Sequence, residues 1–482
     1  MNKVIIQFTP NFCTIESNLS EEIHQYLYDS LSFRPTGFMF SNRYTSGGWD
    51  GVNHLYSLKT HKFRSGLLSK VVDLLKEKEF DIQINNLPSP TEFNQKSKTY
   101  ELRPYQLEAV KKILSRLWGG LGIIKAPMRS GKTTIASAVI DSERKFPTVF
   151  FVRSLDLLRQ TKSVFENLLE GVSVGYIGDG IVDIKDVNVV TIQSAYSSYG
   201  EKCDDPGISE EKEIVDKFSV KKLLNSTKQV FVDEVHHLQG KTSRFILEKC
   251  VNADLKIGLS GTPFRGVEED ILIERTTGPI IYSVDFSTLI QGGWILKPYI
   301  YMYKLPKISV EGTYQSIYKK AIVENDFLTQ LIKKVVDRIV SSGESVVVQT
   351  DLLNHTKALG KVLSCPTLTG KDSSDYREEM INKLRNKEIL CLVSTLFEEG
   401  IDVPSLSWTI NTVGGLGIVP VFQKMRSITS DNGKKYCGVI DFYHQVKYLK
   451  RHSKIRKEMY TSEPEFVFTE IDVSKKSIEE IN

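Results

Sequence analysis

Ala126-Pro127-Met128-Arg129-Ser130-Gly131-Lys132-Thr133 lies between the apolar run GLGIIKA and a helix-forming stretch. Residues of these types in this order can bind phosphate, because consecutive backbone N–H groups at a helix N-terminus form a nest for its oxygens. Lys132 would supply a point charge to the β- and γ-phosphates, and the Thr133 hydroxyl can ligate Mg²⁺. Ala126 stands where glycine is commoner, and a plain helix cap could produce a similar string. A second signal favours the phosphate reading. In VFVDEVHH, Asp233 and Glu234 follow an apolar run with no turn former between. An acidic residue at the carboxyl end of a neighbouring strand is where the Mg²⁺ partner of such a loop belongs. Asp233 fits that role, which leaves Glu234 to polarise an attacking water.

Elements that could position these residues can be read on either side. Short β-branched runs, TVFFVR, VNVVTI, QVFVDE and LKIGLS, alternate with helical stretches from residue 100, the grammar of a parallel sheet covered by helices. The same grammar restarts with SVVVQT, EILCLVST, LSWTINT and CGVIDFY. The expected fold is α/β, with two tandem parallel-sheet domains behind a small α+β amino-terminal domain. The expected boundaries are 1–95 for the small domain, 96–285 for the first sheet domain, 286–460 for the second and 461–482 for an acidic tail. Residues 84–99, polar and holding Pro88 and Pro90, read as a linker. Residues 201–218 are highly charged and read as an exposed excursion.

Taken together, these motifs resemble those of a superfamily 2 helicase of the DEAH type, with the box written DEVH. LRPYQLEAV resembles the adenine-reading Q motif, which implies roles for Arg103 and for Gln106 at the base. FVRSLDLLRQT and TIQS resemble motifs that hold a nucleic-acid backbone, implicating Arg153, Thr191 and Gln193. LSGTPFR resembles the motif that couples hydrolysis to movement, with Ser260 and Thr262 in its hydroxyl positions and His236 of the box beside them. VVVQTDLLNH and STLFEEGIDVP resemble motifs IV and V, implicating Thr350, Ser394 and Thr395 at nucleic acid and Gly400 and Asp402 near the nucleotide. The resemblance implies tandem RecA-like domains, ATP and Mg²⁺ as cofactors, and Lys132, Asp233 and Glu234 as catalytic residues.

One motif departs from the family. Its last motif ordinarily carries arginines that reach the γ-phosphate, and here the string is Gln423-Lys424-Met425-Arg426-Ser427-Ile428-Thr429-Ser430. Ser427 and Ser430 stand where arginines belong, and Arg426 is one place early. Arg426, with Gln423, is expected to serve instead.

Residues 34–70 carry Arg34, Arg43, Lys59, Lys62, Arg64 and Lys70 against Asp50 alone, interleaved with Phe38, Phe40, Tyr44, Trp49, Tyr56 and Phe63. Such a mixture suits phosphate contact with base stacking, and equally the core face of strands. YTSGGWDGVNHLYSLKTHKFRSGLL also resembles the leading segment of phage recombination helicases of the UvsW type. That resemblance implies branched or forked DNA as substrate, roles in branch migration, fork regression, recombination and repair, and replication or recombination proteins as partners. A basic cluster, Lys447, Lys450, Arg451, Lys454, Arg456 and Lys457, reads as a solvated helix face or a second nucleic-acid contact.

Composition bounds the alternatives. The chain has 482 residues, 40% hydrophobic and 25% charged, which excludes wholesale disorder and a disulfide mini-scaffold. With 63 basic against 59 acidic residues the net charge is only +4, so nucleic acid would be met by local patches. The six cysteines lack metal-ligand spacing, and no apolar run approaches a membrane span. A cytoplasmic protein is expected, in the host cytoplasm if phage-encoded, with no membrane contact. Three rivals share these motifs: a duplex translocase that never separates strands, an RNA helicase, and a non-hydrolysing scaffold that uses ATP as a conformational ligand.

Overall fold

The computed structural model describes residues 3–127, 129–200, 211–264, 267–396, 403–415 and 437–481. Met128, Gly400, Asp402, Gln423 and Arg426, all expected near the nucleotide, lie outside the described residues. The chain divides into two compact units, residues 1–284 and 285–482.

The first unit begins with β1 (Lys3–Phe8), β2 (Phe12–Ile15), β3 (Ser32–Phe33), β4 (Asn53–His54), β5 (Lys62–Arg64) and β6 (Asp81–Asn85). A 4-stranded sheet runs in the order β5-β2-β1-β6. Its β1–β6 pair is parallel and its other pairs antiparallel. Alternation along β1 buries Val4, Ile6 and Phe8 against Val71, Val72 and Leu75 of the helix Leu68–Glu77. Leu121, Ile271 and Leu272 join the same core, so this small α+β layer is packed onto the sheet that follows. The junction is tight at Gly66, where a Cβ would lie 2.1 Å from the Glu274 carbonyl oxygen.

The larger sheet of this unit holds β7 (Leu121–Lys125), β8 (Thr148–Val152), β9 (Val174–Gly178), β10 (Ile181–Asp183), β11 (Val187–Thr191), β12 (Gln229–Asp233), β13 (Leu255–Ser260) and β14 (Ile280–Ser283). It is 8-stranded, in the order β10-β9-β11-β8-β12-β13-β7-β14. All its pairings are parallel except β10 with β9. Thr148–Val152 is buried at every position, as befits a strand covered on both faces. Parallel pairing brings the ends of β7, β13 and β12 to one edge, and that edge gathers the phosphate loop, Ser260 and Asp233.

The polar stretch expected as a linker is strapped down. The Asp141 carboxylate, buried on the helix Lys132–Glu143, accepts from the backbone N–H groups of Lys96 at 2.7 Å and Ser97 at 2.8 Å, and from the Ser97 hydroxyl at 2.8 Å. The charged 201–218 stretch is likewise not all exposed. Ile214 is buried, and Glu211 is bonded inward, whereas Phe218 is 76% exposed.

The second unit carries β15 (Tyr299–Lys304), β16 (Val346–Gln349), β17 (Thr367–Leu368), β18 (Cys391–Ser394), β19 (Trp408–Asn411), β20 (Gly438–Tyr443) and β21 (Val467–Asp472). They form a 7-stranded sheet in the order β17-β18-β16-β19-β20-β15-β21, with parallel pairings. Residues 461–482, expected as a peripheral acidic tail, are a correction. β21 pairs with β15 from Val467 to Asp472, and Val473 and Ile481 are buried in the core. Alternating apolar residues, not the acidic ones between them, decided the outcome. Arg456, read as part of a surface cluster, is also interior. Its guanidinium grips Asp441 through Nε at 2.8 Å and Nη2 at 3.0 Å. Among the described residues no helix is long and apolar enough to cross a membrane.

Candidate active site

β7 delivers the chain at Lys125, and the helix Lys132–Glu143 begins directly after Gly131. Gly131 has φ +74°, a left-handed turn that glycine adopts without strain, and a Cβ there would meet Gln106 Nε2 at 2.3 Å. Arg129 also has positive φ, at 66°. The loop is closed by the Ser130 hydroxyl, which donates to the Pro127 carbonyl at 2.6 Å, and by Ala126 N–H, which donates to the Ser260 carbonyl at 2.9 Å.

Gln106 stands against this loop from the helix Pro104–Leu114. Its Nε2 donates to the Ser130 carbonyl at 2.8 Å, and its Oε1 accepts from Arg103 N–H at 2.9 Å. The Tyr105 hydroxyl donates to the same Ser130 carbonyl at 2.7 Å, and Arg103 Nη1 reaches the Arg129 carbonyl at 3.5 Å. Sequence reasoning gave Gln106 to the base. In the structure its side chain braces the loop before Lys132. Tyr105 was missed, although its place beside Gln106 was visible.

The acidic residues sit across the same sheet edge. Glu234 adopts φ 48°, an uncommon conformation for a residue with a side chain. Its Oε1 is 3.5 Å from Lys132 Nζ, and its Oε2 accepts from the Ser260 hydroxyl at 3.1 Å and lies 3.4 Å from His236 Nδ1. Burial opposes ionisation of this carboxyl, but Lys132, His236 and Ser260 outweigh it and hold Glu234 well below the usual carboxylate range. Ser260 Oγ also accepts from Thr262 N–H at 3.2 Å, and it lies 3.2 Å from His236 Nδ1. Lys132, Glu234, His236, Ser260 and Thr262 are therefore one connected network. His236 is buried, and its Nε2 has no hydrogen-bond partner among the described residues. His237 is 3.1 Å from Arg153 Nη1.

Thr133 and Asp233 offer a hydroxyl and a carboxylate, hard oxygen donors that suit Mg²⁺. Among the described residues no group of three or more His, Cys, Asp or Glu could hold a metal. Mg²⁺ requires none, since it is usually held by one or two carboxylates with waters and substrate phosphates.

Several of the expected nucleic-acid residues have internal partners. The Thr191 hydroxyl accepts from Ser194 N–H and donates to Glu211 at 2.8 Å, while Ser194 donates to the same carboxylate at 2.6 Å. Gln193 Oε1 is buried without a hydrogen-bond partner among the described residues. Thr350 is buried, its hydroxyl 2.7 Å from that of Thr356, and the buried Ser394 hydroxyl accepts from Leu396 N–H at 2.9 Å. Thr395 N–H donates to the Leu368 carbonyl at 3.1 Å.

With this geometry in view, residues 99–265 match the family model described as Type III restriction enzyme, res subunit. The chain is similar to the DNA 3'-5' translocase XPB2 of Sulfurisphaera tokodaii, at 28% identity over 436 residues, covering 79% of this chain and 89% of the relative. In structure it is similar to the fragment of a putative HsdR subunit of a type I restriction enzyme from Vibrio vulnificus. The TM-score is 0.57 at 16% identity, with 84% of this chain and 74% of that chain covered. T4 UvsW aligns over 98% of this chain and 99% of its own at 18% identity, but a TM-score of 0.47 is too loose to bear on substrate. In sequence the chain is similar to ATP-dependent enzymes of the helicase and translocase kind, and its two parallel sheets resemble the tandem RecA-like domains of such proteins.

Proposed function

We propose that the protein hydrolyses ATP to move along DNA, and that branched or forked DNA is its substrate. The observation that carries the reading is the network joining Lys132, Glu234 and Ser260 on one sheet edge. In this reading the phosphate loop cradles the triphosphate, and Lys132 leaves Glu234 for the β- and γ-phosphates. Thr133 and Asp233 would hold Mg²⁺, which would supply positive charge to offset that of the phosphates. Glu234, released from Lys132, orients the attacking water. Ser260 then transmits the change, because the same hydroxyl binds both Glu234 and the backbone of Thr262. Gln423 and Arg426 are assigned to the γ-phosphate, and Gly400 and Asp402 to the nucleotide. Arg153, Thr191, Gln193, Thr350, Ser394 and Thr395 are assigned to a path along the nucleic-acid backbone. Contacts of that kind position a strand without reading its bases.

DNA is preferred over RNA because the XPB2 relative is named for DNA translocation, and because the box reads DEVH and the later motif SGT. Branched DNA rests on the resemblance of the amino-terminal segment to phage recombination helicases, as do the recombination and repair roles and the replication proteins expected as partners. Purified protein should convert forks and Holliday junctions in the presence of ATP. Activity confined to RNA duplexes would overturn the DNA assignment. Duplex translocation without strand release is the second reading, supported by the name of that same relative. Duplex-stimulated ATPase with no displaced strand would select it.

A further inference from the structure

An unassigned surface lies at the other end of the first large sheet. The phosphate loop follows the carboxyl end of β7, but Val251 and Lys249 come just before β13 begins. Because β7 and β13 are parallel, these residues lie at the edge remote from Lys132. Cations and aromatic rings alternate there. Lys221 Nζ is 5.1 Å from the centre of the Tyr199 ring, and Lys249 Nζ is 5.2 Å from that ring and 4.5 Å from the Phe245 ring. Tyr199 and Phe245 meet edge to face at 5.4 Å. The Arg64 guanidinium stands 4.2 Å over Phe12, a ring left 42% exposed. Phe245 and Lys249 line one open groove with Phe12 and Arg64, about 400 Å³ in volume.

Charge identifies what fits. Glu248 is the carboxylate of this groove, and it is already held by Arg64 at 3.0 Å and Arg275 at 2.9 Å. The lining therefore carries two cations, Arg64 and Lys249, against one carboxylate, beside the exposed Phe12 ring and the half-buried Phe245 ring. Acidic or aromatic ligands alone would use half of this. A polynucleotide uses both, with phosphates on the cations and an unstacked base against a ring.

We propose that Lys221, Tyr199, Lys249, Phe245, Arg64 and Phe12 form a second binding site for single-stranded nucleic acid, with the groove taking one base. On the motor reading above, this band would hold an arm of the DNA away from the strand engaged by the moving lobes. Alternation of charge and ring, rather than a sequence motif, marks the site.

The test uses the full chain, a fluorescein-labelled oligodeoxythymidine and a labelled fork. Lys221→Glu with Lys249→Glu should weaken binding of both by about tenfold or more and flatten the dependence on salt. Phe12→Ala should weaken binding by a similar factor with the salt slope unchanged, since stacking is not an ionic contact. Basal ATPase should match the parent in both variants, which shows that they fold. Photocrosslinking of 5-iododeoxyuridine to Phe12, Tyr199 or Phe245 is expected in the parent. Unchanged affinity in both variants, or crosslinks confined to other residues, would overturn the band while leaving the motor reading intact. Failure of the parent to bind or respond to any DNA would overturn the motor reading itself.

Discussion

Lys132 Nζ lies 3.5 Å from Glu234 Oε1, so the residue proposed for phosphate and the residue proposed for water are in contact with each other. On the proposed reading, nucleotide binding breaks that contact and frees both groups at once. Glu234→Gln should keep ATP binding and lower turnover by roughly 10²–10⁴-fold, the usual loss when a positioned proton acceptor is removed. Lys132→Ala should lose binding as well. Binding of a fluorescent nucleotide, measured beside phosphate release, separates the two outcomes.

The same pair has a pH signature. Glu234 is ionised more readily in the folded chain than in the unfolded one. Its contribution to stability is therefore complete above the ordinary carboxyl value of 4.5 and is lost as pH falls through the lower folded value. The stability difference between the parent and Glu234→Gln should shrink on acidification below that value. Thermal unfolding of both proteins across an acid series checks the sign.

Gly131→Ala should damage the phosphate loop. The new methyl would meet Gln106 Nε2 at 2.3 Å, and the left-handed backbone adds strain of about 1–2 kcal/mol. We expect a lower melting temperature and loss of the stabilisation that ATP gives the parent. Differential scanning fluorimetry with and without ATP reads both.

Arg456→Ala should destabilise the second unit by about 3–5 kcal/mol, because it strands a buried carboxylate. Asp441 also accepts from the Tyr460 hydroxyl at 2.9 Å and from Asn411 Nδ2 at 3.0 Å. Burial works against its ionisation, and Arg456 more than offsets this. Asp441→Asn in the Arg456→Ala background should recover part of the loss. Denaturant unfolding of the single and double variants tests the coupling.

Arg426→Ala should lower turnover by roughly 10³-fold or more if this residue replaces the displaced arginines of the last motif. Phosphate release at saturating ATP and DNA measures it, and parental turnover would remove Arg426 from the site.

The alternation of sheet and helix was legible because both large sheets are almost wholly parallel and largely buried, so their inner strands are nearly continuous apolar runs such as TVFFV. The loop before Lys132 and the acidic box stand out in the sequence because each is a short local string. Partners were not. Asp141 straps the stretch around Ser97 from 44 positions away, a pairing that a polar, proline-bearing string does not display. Arg456 was counted with its basic neighbours, and only the fold shows that Asp441 draws it inside. β21 was hidden by its acidic residues, which face outward while Ile471 and Val473 pack inward. Thr350 and Ser394 were matched by motif, and their burial is a property of strand ends that spacing does not reveal.

On the proposed reading, ATP cleaved at the Lys132 loop drives movement on DNA. Steady-state phosphate release by the parent and by Lys132→Ala, over a panel of single-stranded DNA, duplex DNA, forked DNA and RNA, addresses it most directly. The account requires strong stimulation by DNA, greatest with forks, that vanishes in Lys132→Ala. A rate indifferent to every polynucleotide, or one that survives in Lys132→Ala, would contradict it.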